Sequence, residues 1–246
     1  MSSLRYWLWL SALDGLGART AARLLDETGS PEALYFLRET ELDRFPYLTA
    51  RERAALADKS LDPASRIQED CARTQTAILA LGDAAYPERL RNIPDPPVVL
   101  YVSGRLPPVD ELPAVAIVGT RSCTPYGVVT AERIAYEFAR AGGLVATGLA
   151  RGVDAAAAKG ALRAGSTPVC VLGNGTNVLY PRENAALYRD VQAAGALVSA
   201  YPPDTQPTRK SFPARNRILS GICSGVLVIE APAHSGALIT AAHALE

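Results

Sequence analysis

The densest chemistry in the sequence lies in Pro207-Thr-Arg-Lys-Ser-Phe-Pro-Ala-Arg-Asn-Arg217, where Arg209, Lys210, Arg215 and Arg217 surround Phe212 and Asn216. No acid occurs between Asp204 and Glu230, so these four positive charges have no neighbour in sequence to neutralise them. Positive groups for a phosphate backbone, beside a flat ring for a base, are what a single-stranded nucleic acid requires. A solvated basic loop would have the same composition. A second candidate is Gly119-Thr-Arg-Ser122, directly after the apolar run Val115 to Val118. Gly119 permits close backbone approach, and Thr120, Arg121 and Ser122 offer donors to a phosphate at the start of a helix. Two further glycine-rich loops could join it. Thr147-Gly-Leu-Ala-Arg-Gly-Val-Asp154 carries Arg151 between two glycines and ends in Asp154, an acid suited to cap the following alanine-rich helix. Leu172-Gly-Asn-Gly-Thr-Asn177, followed by Tyr180-Pro-Arg-Glu-Asn184, either approaches a ligand or makes a tight turn.

Catalytic chemistry is harder to assemble. The two histidines, His234 and His243, both lie in the last segment, and no nucleophile elbow, HExxH or cluster of strand-end carboxylates is present. Neither GxGxxG nor a GK[ST] phosphate loop occurs, which argues against dinucleotide oxidoreductases and P-loop ATPases. Glu230 alone is placed like a catalytic acid, after Val226 to Ile229. It could equally fix the loop holding Ser235 and Gly236 or pair with an arginine. Near the N-terminus, Leu13-Asp-Gly-Leu-Gly17 reads as the turn of a helix-hairpin-helix whose amides could hold a DNA phosphate. Asp14 in that turn, and 10 basic against 12 acidic side chains in residues 1–75, favour a packing or dimerising role instead.

The elements that must position these residues fall into two patterns. Residues 4–75 place apolar side chains at helical spacing, broken by Gly15, Gly17, Gly29 and Pro31, which predicts a small helical domain over 1–75. From Thr76 onward, short valine-rich runs alternate with helical stretches at 128–141, 154–164, 185–194 and from Leu238. The runs are 77–81, 98–102, 115–118, 144–146, 169–172, 196–199 and 226–229. Such runs, apolar on both faces, predict a doubly wound, mostly parallel α/β domain over 76–246, with ligands at the carboxyl ends of its strands.

At 246 residues and 48% hydrophobic composition, the chain can bury a sizeable core. Its 25 basic and 25 acidic side chains balance, which excludes an indiscriminate polyanion binder. The balance is uneven along the chain, however: residues 1–111 hold 13 basic and 17 acidic groups, and residues 112–246 hold 12 and 8. An anionic ligand therefore belongs to the second half. Of the basic residues, 22 are arginine, a composition that suits forked phosphate contacts and that a GC-rich genome would also produce. Cys71, Cys123, Cys170 and Cys223 are scattered, which fits a reducing cytoplasm and speaks against zinc or a disulfide scaffold. The apolar opening around Tyr6 to Leu10 is too short to span a bilayer.

Taken together, the loops resemble the DNA processing protein A (DprA, or Smf) family over nearly the whole chain. The matching pieces are Gly82-Asp83 with Tyr86-Pro87 and Leu90, Pro96 to Tyr101, Val115 to Arg121, Gly148 to Asp154 and Val171 to Gly175. They continue with Tyr180-Pro181 and Glu183-Asn184, Tyr201 to Pro203, Phe212 to Arg217, and Glu230 with Ser235 to Thr240. Residues 1–75 look like that family's sterile-alpha-motif-like module. The chain departs from the pattern at Thr120, commonly serine, and at Gly221 to Ser224, where a leucine is usual.

The resemblance implies an extended Rossmann-like domain that binds and protects single-stranded DNA and loads RecA recombinase onto it in natural transformation and homologous recombination. It implies a cytoplasmic homodimer formed through that domain, a binding protein rather than an enzyme, with no cofactor, metal or membrane partner. Carried onto this chain, Gly119, Thr120, Arg121 and Ser122 take phosphate, and Arg121 and Lys210 are the main backbone contacts. Phe212 and Asn216 line a base pocket, supported by Arg151, Arg209, Arg215 and Arg217. Many such proteins add a C-terminal winged-helix domain, which the end at Glu246 leaves open. Two competing readings remain. One is a nucleotide N-glycoside hydrolase of the lysine-decarboxylase-like type, whose PGGxGTxxE pattern is missing here. The other is a structural protein whose basic loop has no DNA affinity.

Overall fold

The computed structural model describes residues 3–245; Glu246, at the end of the expected final helix, lies outside the described residues, as do residues 1 and 2. The first third is helical: α1 (Leu4–Ala12), α2 (Ala18–Thr28), α3 (Pro31–Tyr35), α4 (Ala50–Ala57) and α5 (Asp62–Arg73). Local signals start and stop these helices. Gly29 closes α2 in the left-handed conformation, with its N–H returned to the Leu25 carbonyl. Ser30 caps α3 ahead of Pro31, and Thr49 with Glu52 forms a reciprocal capping box on α4.

The remainder is a seven-stranded sheet with helices between the strands. The strands are β1 (Ala77–Ala80), β2 (Val99–Gly104), β3 (Ala114–Gly119), β4 (Leu144–Thr147), β5 (Val169–Leu172), β6 (Ala196–Ser199) and β7 (Gly225–Ile229). The helices are α6 (Glu88–Arg91), α7 (Pro125–Arg140), α8 (Val153–Arg163), α9 (Ala185–Ala194), α10 (Ser211–Ile222) and α11 (Gly236–His243). The sheet order is β1-β2-β6-β5-β4-β3-β7. From β6 to β7 every pairing is parallel, whereas β2 runs antiparallel to both β6 and β1. All seven apolar runs thus became strands, but the first two enter the sheet as an antiparallel pair at one edge.

Alternate strand residues face two different layers, which is why both faces had to be apolar. Val118, Ala146, Val171 and Val198 pack against Ile218, Leu219 and Ile222 of α10. Ile117, Val145 and Ile229 pack against the alanines of α7 and α8, and Leu172 and Leu197 against α8 and α9. The helical third extends that second layer: Trp9, Leu24, Leu34 and Leu56 share one core with Val98, Val99 and Tyr101 of the sheet.

The chain lays down β3, moves outward through β4, β5 and β6, and then returns to place β7 on the other side of β3. Loops leaving the neighbouring strands β3 and β7 diverge to opposite layers, toward α7 and α11, and a crevice opens at their carboxyl ends.

One element differs from the expected pattern. From Ser211 onward the basic segment is helical, so only Pro207 to Lys210 is loop. Pro213 is accommodated because it occupies the first turn of α10, where its missing N–H would have had no helical partner.

Candidate nucleic-acid interface

A cleft of about 610 Å³ occupies this crevice, walled by Gly119, Thr120 and Arg121 after β3, Ala150 after β4, Tyr180 after β5, and Arg209, Phe212 and Asn216 around the start of α10. The sequence motifs are about a hundred residues apart, and the shared carboxyl edge of the sheet brings them together.

The β3 loop is curled and internally bonded. Thr120 donates its N–H to the Glu230 carbonyl at 2.8 Å, while its own carbonyl accepts from Val153 at 3.3 Å. The Thr120 hydroxyl accepts the Ser122 N–H at 3.3 Å. A side chain at Gly119 would collide with the Ile229 carbonyl, so only glycine lets β3 and β7 end this close together. The curl turns Arg121 outward, its guanidinium 5.3 Å from the centre of the Phe212 ring. Phe212 in turn meets Tyr180 at 5.6 Å, with the rings tilted by 37°. One cation and two rings thus form a continuous wall.

Arg209 and Lys210 stand exposed on the turn before α10, which is tied by reciprocal hydrogen bonds between Thr208 and Ser211. Among the described residues, Arg121, Arg209 and Lys210 form no ion pair. Ser122 is also exposed on the β3 loop.

Other residues assigned to the strand on sequence have different duties. Arg215 is only 5% exposed. Its Nη1 donates to the Gly148 carbonyl at 2.6 Å and to the Val171 carbonyl, and its Nε to Asn216 Oδ1 at 3.2 Å. Arg215 therefore ties β4 and β5 to α10 from beneath the cleft and is not a surface contact. Asn216 donates to the Gly236 carbonyl at 3.1 Å, so its amide braces α10 against α11. Arg217 points away from the cleft into an ion pair with Asp95. Arg151, at the rim, faces Glu183 at 3.4 Å. Helical periodicity explains these different directions: once residues 211–217 are a helix, basic groups in sequence order cannot all share one face.

Asp154 departs from expectation too. It lies inside α8, whose capping position is Gly152, and its Oδ2 turns back to accept the N–H groups of Gly148 at 3.1 Å and Ala150 at 3.4 Å. The Gly148 peptide thus sits between two buried charges, Asp154 on its amide side and Arg215 on its carbonyl side. Burial pushes the Asp154 carboxyl upward, and the Arg215 charge and the backbone donors only partly offset this. Burial likewise lowers Arg215, with Asp154 opposing.

Glu230 fixes the β3 loop rather than the Ser235 loop, and among the described residues it pairs with no arginine. Its carboxylate accepts the Thr124 N–H at 2.9 and 3.1 Å and the Thr124 hydroxyl at 2.9 Å.

The N-terminal hairpin has its own internal anion. The Glu52 carboxylate accepts from Thr20 Oγ1 at 2.7 Å and from the N–H and hydroxyl of Thr49. Arg51 lies against Gly15 and pairs with Asp14. Glu52 thus joins α4 to the start of α2 through Thr20.

Among the described residues no group of three or more His, Cys, Asp and Glu side chains could hold a metal, and the four cysteines are free thiols. No helix among them is long and apolar enough to cross a membrane.

Comparison with known proteins identifies the arrangement. Residues 77–246 match the family model of DNA recombination-mediator protein A. Protein Smf of Synechocystis sp. is 36% identical over 251 residues, covering 100% of this chain and 63% of that protein. The DNA processing protein DprA of Streptococcus pneumoniae is 39% identical over 164 residues, 67% of this chain and 57% of the relative. The chain thus spans less than two thirds of the length of these relatives. The X-ray structure of DprA from Streptococcus pneumoniae superposes with a TM-score of 0.81 at 29% identity, over 98% of this chain and 83% of that one. The DNA processing protein A of Helicobacter pylori, whose structure describes a single-stranded DNA binding mode, gives a TM-score of 0.63 at 30% identity, over 69% of this chain and 76% of that one. With residues 77–246 matching the family model and a relative 36% identical along the whole of this chain, the chain belongs to the DNA recombination-mediator protein A family, the DprA or Smf proteins.

Proposed function

We propose that this protein binds single-stranded DNA in the cleft at the carboxyl edge of its sheet and hands it to RecA recombinase during natural transformation and homologous recombination. The carrying observation is the wall of Arg121, Phe212 and Tyr180 beside the unpaired Arg209 and Lys210. Phosphates follow Gly119, Thr120, Arg121 and Ser122 toward Arg209 and Lys210, and an unstacked base lies on the rings. Arg151, Asn216 and Arg215 shape the cleft, and Arg217 stands behind it. The protein acts in the cytoplasm as a homodimer joined through its Rossmann-like domain, without cofactor or chemical step. Binding is favoured over glycosidic hydrolysis because the carboxylates nearest the cleft are committed: Glu230 to Thr124 and Asp154 to backbone amides.

The test is fluorescence anisotropy of a labelled oligothymidylate titrated with the protein at several salt concentrations, with duplex of equal length as competitor. Single-strand-preferring, salt-sensitive binding is expected. Arg121→Glu and Lys210→Glu should weaken it for every sequence and flatten the salt dependence by about 0.7 per lost phosphate contact. Unchanged affinity in a folded Arg121→Glu protein would refute the phosphate track. Faster RecA filament nucleation in the presence of the protein would establish the handover.

A further inference from the structure

We infer that Glu230 is the positioning residue of the DNA cleft, clamping the phosphate-binding loop at both ends from a neighbouring strand. Its main chain and its side chain hold different points of one loop. The Glu230 carbonyl accepts the N–H of Thr120 at 2.8 Å, and the carboxylate accepts both the N–H and the hydroxyl of Thr124. Arg121, Ser122 and Cys123 lie between those anchors. The backbone of Glu230 adopts a positive φ of 54°, a region that L side chains other than asparagine and aspartate seldom enter. That turn directs the carboxylate across from β7 to the first residues of α7. The α7 side is shaped to receive it. A Cβ at Gly127 would collide with Glu230 Oε2, and the Thr124 hydroxyl that donates to Glu230 accepts the Gly127 N–H at 3.2 Å. One carboxylate thereby occupies the start of α7, where the N-terminal amides favour negative charge.

The consequence for DNA is opposite in sign to simple electrostatics. A carboxylate near a phosphate track should repel the strand, so removing its charge should tighten binding. If Glu230 instead holds the loop that aims Arg121 over Phe212, removing its charge should loosen binding. This inference rests on the single-strand reading of the cleft.

The experiment measures oligothymidylate affinity for wild type, Glu230→Gln, Arg121→Ala and the double variant, with thermal melting to confirm folding. Glu230→Gln keeps the size of the side chain but sets an amide against the Thr124 donors. It should weaken binding roughly tenfold in the wild-type background and less than twofold when Arg121 is already alanine, the signature of a residue acting through its neighbour. Thr124→Val should share the loss and Thr124→Ser regain most of it. Hydrogen exchange should quicken over residues 120–124 in Glu230→Gln and stay unchanged in α9. Tighter or unchanged binding by Glu230→Gln, or an equal loss in both backgrounds, would overturn the positioning role. A wild-type protein without single-strand affinity would refute the DNA reading itself and the clamp's role with it.

Discussion

At the scale of single residues, the cleft separates groups that open onto its space from groups that hold its walls. Phe212 and Tyr180 belong to the first kind, because each gives a ring to the cleft. Phe212→Ala should cost on the order of 1–3 kcal/mol of single-strand affinity if a base stacks there, read by anisotropy. A fall in melting temperature with affinity intact would make the ring part of the core instead. Asp154 and Arg215 belong to the second kind. Asp154→Ala leaves the Gly148 amide unpaired and the Arg215 charge uncompensated in the interior, so stability should drop by about 3 kcal/mol in urea unfolding. A loss below about 1 kcal/mol would mean that water replaces the carboxylate. The sequence displayed the cations and the ring of this site plainly. It did not separate Arg215 from Arg209, since only the helix hydrogen bonds from Ser211 onward turn one inward and leave the other in solvent.

At the scale of elements, capping and sheet order carry most of the explanation. The Glu52 carboxylate sits below its usual range because Thr20 and Thr49 donate to the charged form. A depressed carboxylate contributes stability above its unfolded value near 4.5, and that contribution is lost as pH falls through the lower folded value. Glu52→Gln should therefore reduce melting temperature at pH 6 and have progressively less effect toward pH 3, in a calorimetric series. An effect that grew as the pH fell would reverse the assignment. Element by element, the strands were legible because valine-rich runs of four to six residues have few alternatives. The direction of β1 and β2 was not, because apolar patterning fixes which faces are buried and carries no information on the sense in which neighbouring strands run. Glu230 was legible as an acid at a strand end. Its partner Thr124 was hidden, since the two are 106 residues apart.

At the scale of the whole molecule, we propose a division near residue 75 into a helical unit and a Rossmann-like unit that nevertheless share a core. Leu34 and Trp9 pack into one cluster with Val99 and Tyr101, and Arg73 reaches Asp204 across the boundary. Leu34→Ala and Leu144→Ala should each cost about 3 kcal/mol and lower a single melting transition by roughly 6–12 °C. Two transitions moving independently would show units that fold apart. The position of β7 has a further consequence, in time rather than in space. Val115 of β3 pairs with Gly225 of β7, 110 residues later, whereas its other neighbour β4 follows within about thirty. Closing so long a loop comes late in folding. During synthesis β3 therefore waits with one bare edge until β7 has left the ribosome, and the Glu230 contacts to the β3 loop arrive with it. The cleft is thus among the last features a nascent molecule completes, because the anchors of the loop that carries Arg121 arrive only with the final strand of the sheet.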